Sequence, residues 1–242
     1  MNHNEIKGSD HLNKKRIGMP DRTRNILLLT LFAIGMAQVE ASLVVHLRSL
    51  YYPANPLEIF PLNLLSPRDH AIELARELAT VVMILSVALL TARGFTRVFA
   101  VFVFVFGLWD LFYYLWLKIM IGWPVSWLEW DVLYLIPWPW LGPWLAPVLI
   151  ALLFVVWGCW ILISPNEVRF TRGTSVLFVV GSLLALTAFL LPAVPELLEG
   201  EAAFREYQPD DFDWSLYTPG YLLMVISLWR IANSGHTRKR EQ

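Results

Sequence analysis

Six apolar runs, each near the length of a bilayer crossing, limit this chain more than any other feature. A membrane helix needs roughly 20 apolar residues to cross a ~30 Å hydrocarbon core. Lipid also forces every backbone polar group to be satisfied within the span, which favours helices. The runs fall at about 25–47, 70–91, 98–121, 144–163, 175–191 and 214–232. At 57% hydrophobic and 16% charged, the chain departs from the ~45–50% apolar and ~25% charged of soluble domains. The expected fold class is all-α: a polytopic membrane helical bundle with six transmembrane helices. It forms one domain, 25–232, between polar tails at 1–24 and 233–242. The sixth run is the weakest, because Tyr217, Pro219 and Gly220 disturb its first turn. Residues 122–143 mix five tryptophans with four prolines and read as an interfacial or re-entrant segment.

Basic residues set the orientation. With the N-terminus inside, the inner segments hold Lys7, Lys14, Lys15, Arg16, Arg22, Arg24, Arg93, Arg97, Arg169, Arg172, Arg230, Arg238, Lys239 and Arg240, which is 14 of 19. The outer side keeps Arg48, Arg68, Arg76, Lys118 and Arg205, and the outer stretch 196–213 is acidic. The positive-inside rule therefore places both termini in the cytoplasm. The long polar leader and Glu40 within the first run argue against a cleaved signal peptide. The phrase Val39-Glu-Ala-Ser-Leu-Val-Val-His-Leu-Arg-Ser-Leu-Tyr-Tyr-Pro53 resembles bacterial membrane proteins and carries no activity with it. The expected location is the bacterial inner membrane, with the lipid bilayer as the first partner.

Against that apolar background the acids stand out. A charge at the bilayer centre costs roughly 2.5–3.5 kcal/mol even on the lenient insertion scale. On a helix, His70, Glu73, Glu77 and Thr80 share one face. At 1.5 Å per residue, Glu40 lies ~22 Å along the first span, Glu77 ~10 Å in from the outer edge and Asp110 ~18 Å from the inner side. Glu40, Glu77 and Asp110 thus meet at one depth in the outer half, with Glu73 and His70 above them. Asp110, Tyr114 and Lys118 step by four along the third span, beside Tyr113. Glu40 and His46 are ~120° apart around the first.

That pattern supports several readings. The preferred one is an intramembrane enzyme with an outward-facing carboxylate site, acting on a lipid or isoprenoid-like substrate. Glu77, Asp110, Glu40 and Glu73 are its catalytic candidates, with Tyr113, Tyr114 and Lys118 as substrate contacts. The same carboxylates with His46 and His70 offer oxygen and nitrogen ligands to a divalent metal ion. The spacing His70-x-x-Glu73 reverses the Glu-x-x-His of di-iron bundles. A metal-free version uses a buried acid for proton transfer. A transporter or binding subunit for a cation or small molecule is the first alternative. A haem-binding electron-transfer subunit, with His46 and His70 as axial ligands, is the second. A structural subunit whose acids pair with Arg76, Arg48 or Lys118 is the third. The single cysteine, Cys159, excludes an intrachain disulfide and a cysteine-built metal site. No phosphate loop, dinucleotide fingerprint or nucleophile elbow occurs, and the short mixed tails give no basis for nucleic-acid binding.

Overall fold

A computed structural model describes residues 21–60, 62, 65–136, 138–165 and 168–237. His3, His11 and the terminal Arg238-Lys239-Arg240 cluster lie outside the described residues. Among the described residues, eight α-helices and one hairpin follow in order: α1 (Asp21–Tyr51), α2 (Pro67–Thr91), α3 (Phe95–Ile121), β1 (Trp130–Tyr134), β2 (Trp140–Pro143), α4 (Leu145–Ile163), α5 (Arg172–Leu190), α6 (Val194–Glu199), α7 (Glu201–Glu206) and α8 (Trp214–Thr237), with a 3-10 turn, Leu191–Ala193, between α5 and α6. Five of them, α1 to α5, are long and apolar enough to cross a membrane. Their outward faces are apolar too: Leu90 is 88% exposed and Val39 70%. A surface of that kind is stable against lipid and unstable against water, which fits residence in a membrane.

The helices form where the runs predict; α1, α2, α3, α5 and α8 run about a turn or more past the expected bounds at one end or both, while α4 keeps its expected length. α2 starts at Pro67 because Ser66 caps it, accepting the Asp69 N–H at 3.2 Å, and proline suits a first helical turn. α5 starts with a capping box. Thr171 Oγ1 accepts the Thr174 N–H at 3.2 Å, and Thr174 Oγ1 accepts the Thr171 N–H at 2.9 Å. Replacing Thr171 with alanine should cost about 1 kcal/mol, read as a lower unfolding midpoint in mixed detergent micelles. An unchanged midpoint would remove the cap from the list of stabilising features.

α3 is the central helix. It packs on α1, α2 and α4, and Val101, Phe104, Val105 and Leu108 anchor a core shared with Leu29, Ala33 and Ala37 of α1 and Ile84 and Ala88 of α2. The second pair is α5 with α8. Two hydrogen bonds join it to α4: Trp157 Nε1 donates to the Leu228 carbonyl at 2.9 Å, and the Tyr217 hydroxyl to the Ala146 carbonyl at 2.6 Å. Among the described residues, the substantial packing of α2 is with α3 alone. That leaves a space between α2 and α5.

Two features go beyond what the sequence alone resolves. The 122–143 segment contains a two-stranded antiparallel hairpin, pairing Trp130 with Pro143, Asp131 with Gly142 and Val132 with Leu141. Its approach is tied off locally. Lys118 Nζ donates to the carbonyls of Gly122 and Pro124 at 2.9 and 2.7 Å, and the Glu129 carboxylate accepts the N–H groups of Val125 and Ser126. The first turn of α8 is intact despite Pro219. Asp213 accepts the Leu216 N–H at 3.0 Å and the Ser215 hydroxyl at 2.6 Å, while Tyr217 is 1% exposed and locked to α4.

Candidate functional site

The space between α2 and α5 is a cavity of about 540 Å³. One end lies under the hairpin. Glu40 and Arg48 of α1, His70, Glu73, Arg76 and Glu77 of α2, Asp110, Tyr113 and Tyr114 of α3, and Asp131 of β1 line it there. Beyond them the lining is mostly apolar, walled by Phe106 of α3, Ile150 and Phe154 of α4, Ala185 and Leu186 of α5 and Met224 of α8, with Ser182 of α5 adding a hydroxyl. The structure therefore gathers Glu40, Glu73, Glu77, Asp110, His70, Tyr113 and Tyr114 around one cavity.

Each acid is held differently. Arg76 bridges two helices: its Nε donates to Glu73 Oε2 at 2.7 Å and its Nη1 to Glu40 Oε1 of α1. A guanidinium thus stands between Glu40 and Glu73, where the metal reading places a cation. Both Glu77 oxygens accept the Leu135 N–H, at 3.0 and 3.1 Å, which pins the hairpin to α2. Asp110 is the exception. It lines the cavity and makes no hydrogen bond or ion pair among the described residues.

His46 and Lys118 do not join the cavity. The His46 ring donates Nδ1–H to the Ser42 carbonyl of its own helix at 2.6 Å. His70 lines the cavity and His46 does not. Lys118 turns to the end of α3, where free carbonyls and the negative pole of the helix attract a cation. That local attraction wins over the i+4 stripe with Asp110 and Tyr114. Among the described residues, no group of three or more His, Cys, Asp or Glu side chains is placed to hold a metal ion.

Sequence reasoning missed Asp131. It is 2% exposed and accepts from Arg48 Nη2 at 3.1 Å, the Val132 N–H at 3.0 Å and the Tyr114 hydroxyl at 3.3 Å. Burial pushes its carboxyl above the usual carboxylate range, while Arg48 and the hydrogen bonds pull the other way. The signal was present but faint: one acid inside the run Trp130 to Tyr134, and one arginine, Arg48, alone at the end of the first span. Arg48 also stacks over the Trp123 ring, 4.0 Å from its centroid. Compared with family models, with characterised proteins and with solved structures, the chain matches none.

Proposed function

We propose that this is a six-span enzyme of a bacterial inner membrane, acting on a lipid or isoprenoid-like amphiphile, with Asp110 as its proton-transfer group. One observation carries the reading: the cavity is rich in charged groups under the hairpin and mostly apolar beyond it, and at the border Asp110 has no hydrogen bond or ion pair among the described residues. On α3 the residues facing the cavity are Phe106, Trp109, Asp110, Tyr113 and Tyr114. Phe106, one turn from Asp110, meets Phe154 edge-on at 6.4 Å. Tyr114, one turn the other way, meets Asp131. A molecule with an apolar tail and a polar head would fill both parts and set the bond near its head against Asp110.

The remaining groups have supporting roles. Arg76 holds α1 to α2 and compensates Glu40 and Glu73. Glu77 and the Arg48–Asp131 pair hold the hairpin over the polar end. Asp110 then gives or takes a proton at the substrate atom beside it, a role that needs a positioned acid. A carboxylate without a partner in an apolar setting is costly, which favours a functional reason for keeping it.

Topology supports an outward-facing site. α8 is 24 residues long, so it reaches about 36 Å, and it packs along α5; we read it as the sixth span. The basic positions Arg93, Arg97, Arg169, Arg172 and Arg230 then lie on one side, with both termini, and the positive-inside rule makes that side cytoplasmic. The hairpin and the acidic stretch 196–213 fall on the outer side.

The test is conversion in proteoliposomes made with lipid extracted from a bacterial membrane. Mass spectrometry before and after incubation should show one amphiphile class consumed. Asp110→Asn should slow that consumption by about 10²-fold or more, the lower range for a lost general acid or base, without changing the unfolding midpoint by more than a few degrees. Conversion at the wild-type rate in the amide variant would overturn the role of Asp110. No lipid consumed, and none retained through purification, would overturn the reading itself.

A further inference from the structure

Resting on the amphiphile reading above, we propose that the head group this cavity takes is an organic ammonium, an amine or a quaternary nitrogen. The cavity is lined by five carboxylates, Glu40, Glu73, Glu77, Asp110 and Asp131, against two guanidiniums, Arg48 and Arg76. Neither guanidinium is free. Arg76 serves two carboxylates, and Arg48 is held by Asp131 and the Trp123 face. Arg48 Nη1 has no hydrogen bond, but it is buried among protein atoms. An anionic head group would therefore meet an excess of carboxylates and no uncommitted guanidinium or ammonium, with the His70 imidazole as the one further base on the lining. A neutral hydroxyl would leave that surplus as it stands. An ammonium offsets it.

The aromatic lining discriminates further. Asp110 is followed along the cavity face of α3 by Tyr113 and Tyr114 and preceded by Trp109, itself 8% exposed. Tyr113 and Tyr114 meet edge to face at 5.1 Å. A carboxylate flanked by aromatic side chains on a cavity wall suits a weakly hydrated organic cation, because aromatic rings attract positive charge without demanding hydrogen bonds. Glu77 is less free to move toward a ligand, since its two oxygens share the Leu135 N–H.

The experiment uses the full chain in dodecyl maltoside and three probes with one tail: 12-bromododecylammonium, 12-bromododecanol and 12-bromododecanoate. The bromine quenches tryptophan fluorescence, and Trp109 and Trp140 line the cavity. Expected is saturable quenching by the ammonium at a concentration at least tenfold below that for the alcohol, with the carboxylate weakest. Asp110→Asn should bring the ammonium to the level of the alcohol. If the amide variant does not fold, Asp110→Glu carries the test, and it should keep the order of the three probes. Equal saturation by alcohol and ammonium, or tighter binding of the carboxylate, would overturn the ammonium inference and leave the amphiphile reading standing. No saturable quenching by any probe would overturn both.

Discussion

Replacing Arg48 with alanine is expected to destabilise the protein by about 3–5 kcal/mol, the usual cost of removing one partner of a buried ion pair. Arg48 is 5% exposed and Asp131 2%. The arginine donates to Asp131 at 3.1 Å and covers Trp123, which is fully buried. Without it, the Asp131 carboxylate keeps only the Val132 N–H and the Tyr114 hydroxyl, far from bulk water. The hairpin and the end of α1 then lose their link, because Arg48 belongs to α1 and Asp131 to β1. The measurement is reversible unfolding in mixed micelles. A paired substitution, Arg48→Met with Asp131→Leu, should recover most of the loss, since exchanging a whole buried pair for apolar groups is often neutral. A single-variant loss under about 1 kcal/mol would mean that water reaches the pair and shields it. Recovery in the double variant separates a lost charge partner from lost packing volume.

That ion pair marks the limit of what the sequence makes legible. Apolar length is a one-dimensional property, so the helices α1 to α5 could be read directly from their runs. Depth is almost as simple: a fixed rise per residue brings Glu40, Glu77 and Asp110 to one layer, and all three line one cavity. Rotation about each helix is different, because packing decides it. The sequence put Asp110, Tyr114 and Lys118 on a single stripe, yet the lysine is long enough to fold back onto its own helix end. It put Glu73 and Glu77 side by side, yet Arg76 between them reaches across to Glu40. The hairpin was hidden for a further reason. Prolines and tryptophans crowd 122–143, and the alternation from Trp130 to Tyr134 lasts only five residues. Asp131 shows its purpose only when Arg48, 83 residues earlier, is placed beside it.

Gly181→Leu should separate α5 from α8 and cost about 3 kcal/mol or more, at or beyond the upper end for overpacking a tight interface. A Cβ at Gly181 would sit 2.6 Å from the Gly220 carbonyl oxygen and 2.9 Å from the Met224 nitrogen. Both are backbone atoms, so no rotamer change can relieve the clash; the helices must move apart. Close approach through small residues is a common way to hold helices together in lipid, where hydrophobic burial supplies little. Gly220→Leu should act alike, since its Cβ would lie 2.7 Å from the Ala185 nitrogen. The double variant should cost less than the sum, because one separation relieves both contacts. Gly173→Ala is the internal control: nothing lies within 4 Å of its Cβ, so its midpoint should stay within about 0.5 kcal/mol of wild type. The effect should reach the cavity as well. Ala185 and Leu186 of α5 and Met224 of α8 form its apolar wall, and a displaced α8 would widen it. Gly181→Leu should therefore weaken retention of an amphiphile in the fraction that stays folded, whereas Thr171→Ala, at the far end of α5, should not. Equal retention in both, with the folded fractions matched, would show that the wall does not depend on the α5–α8 contact.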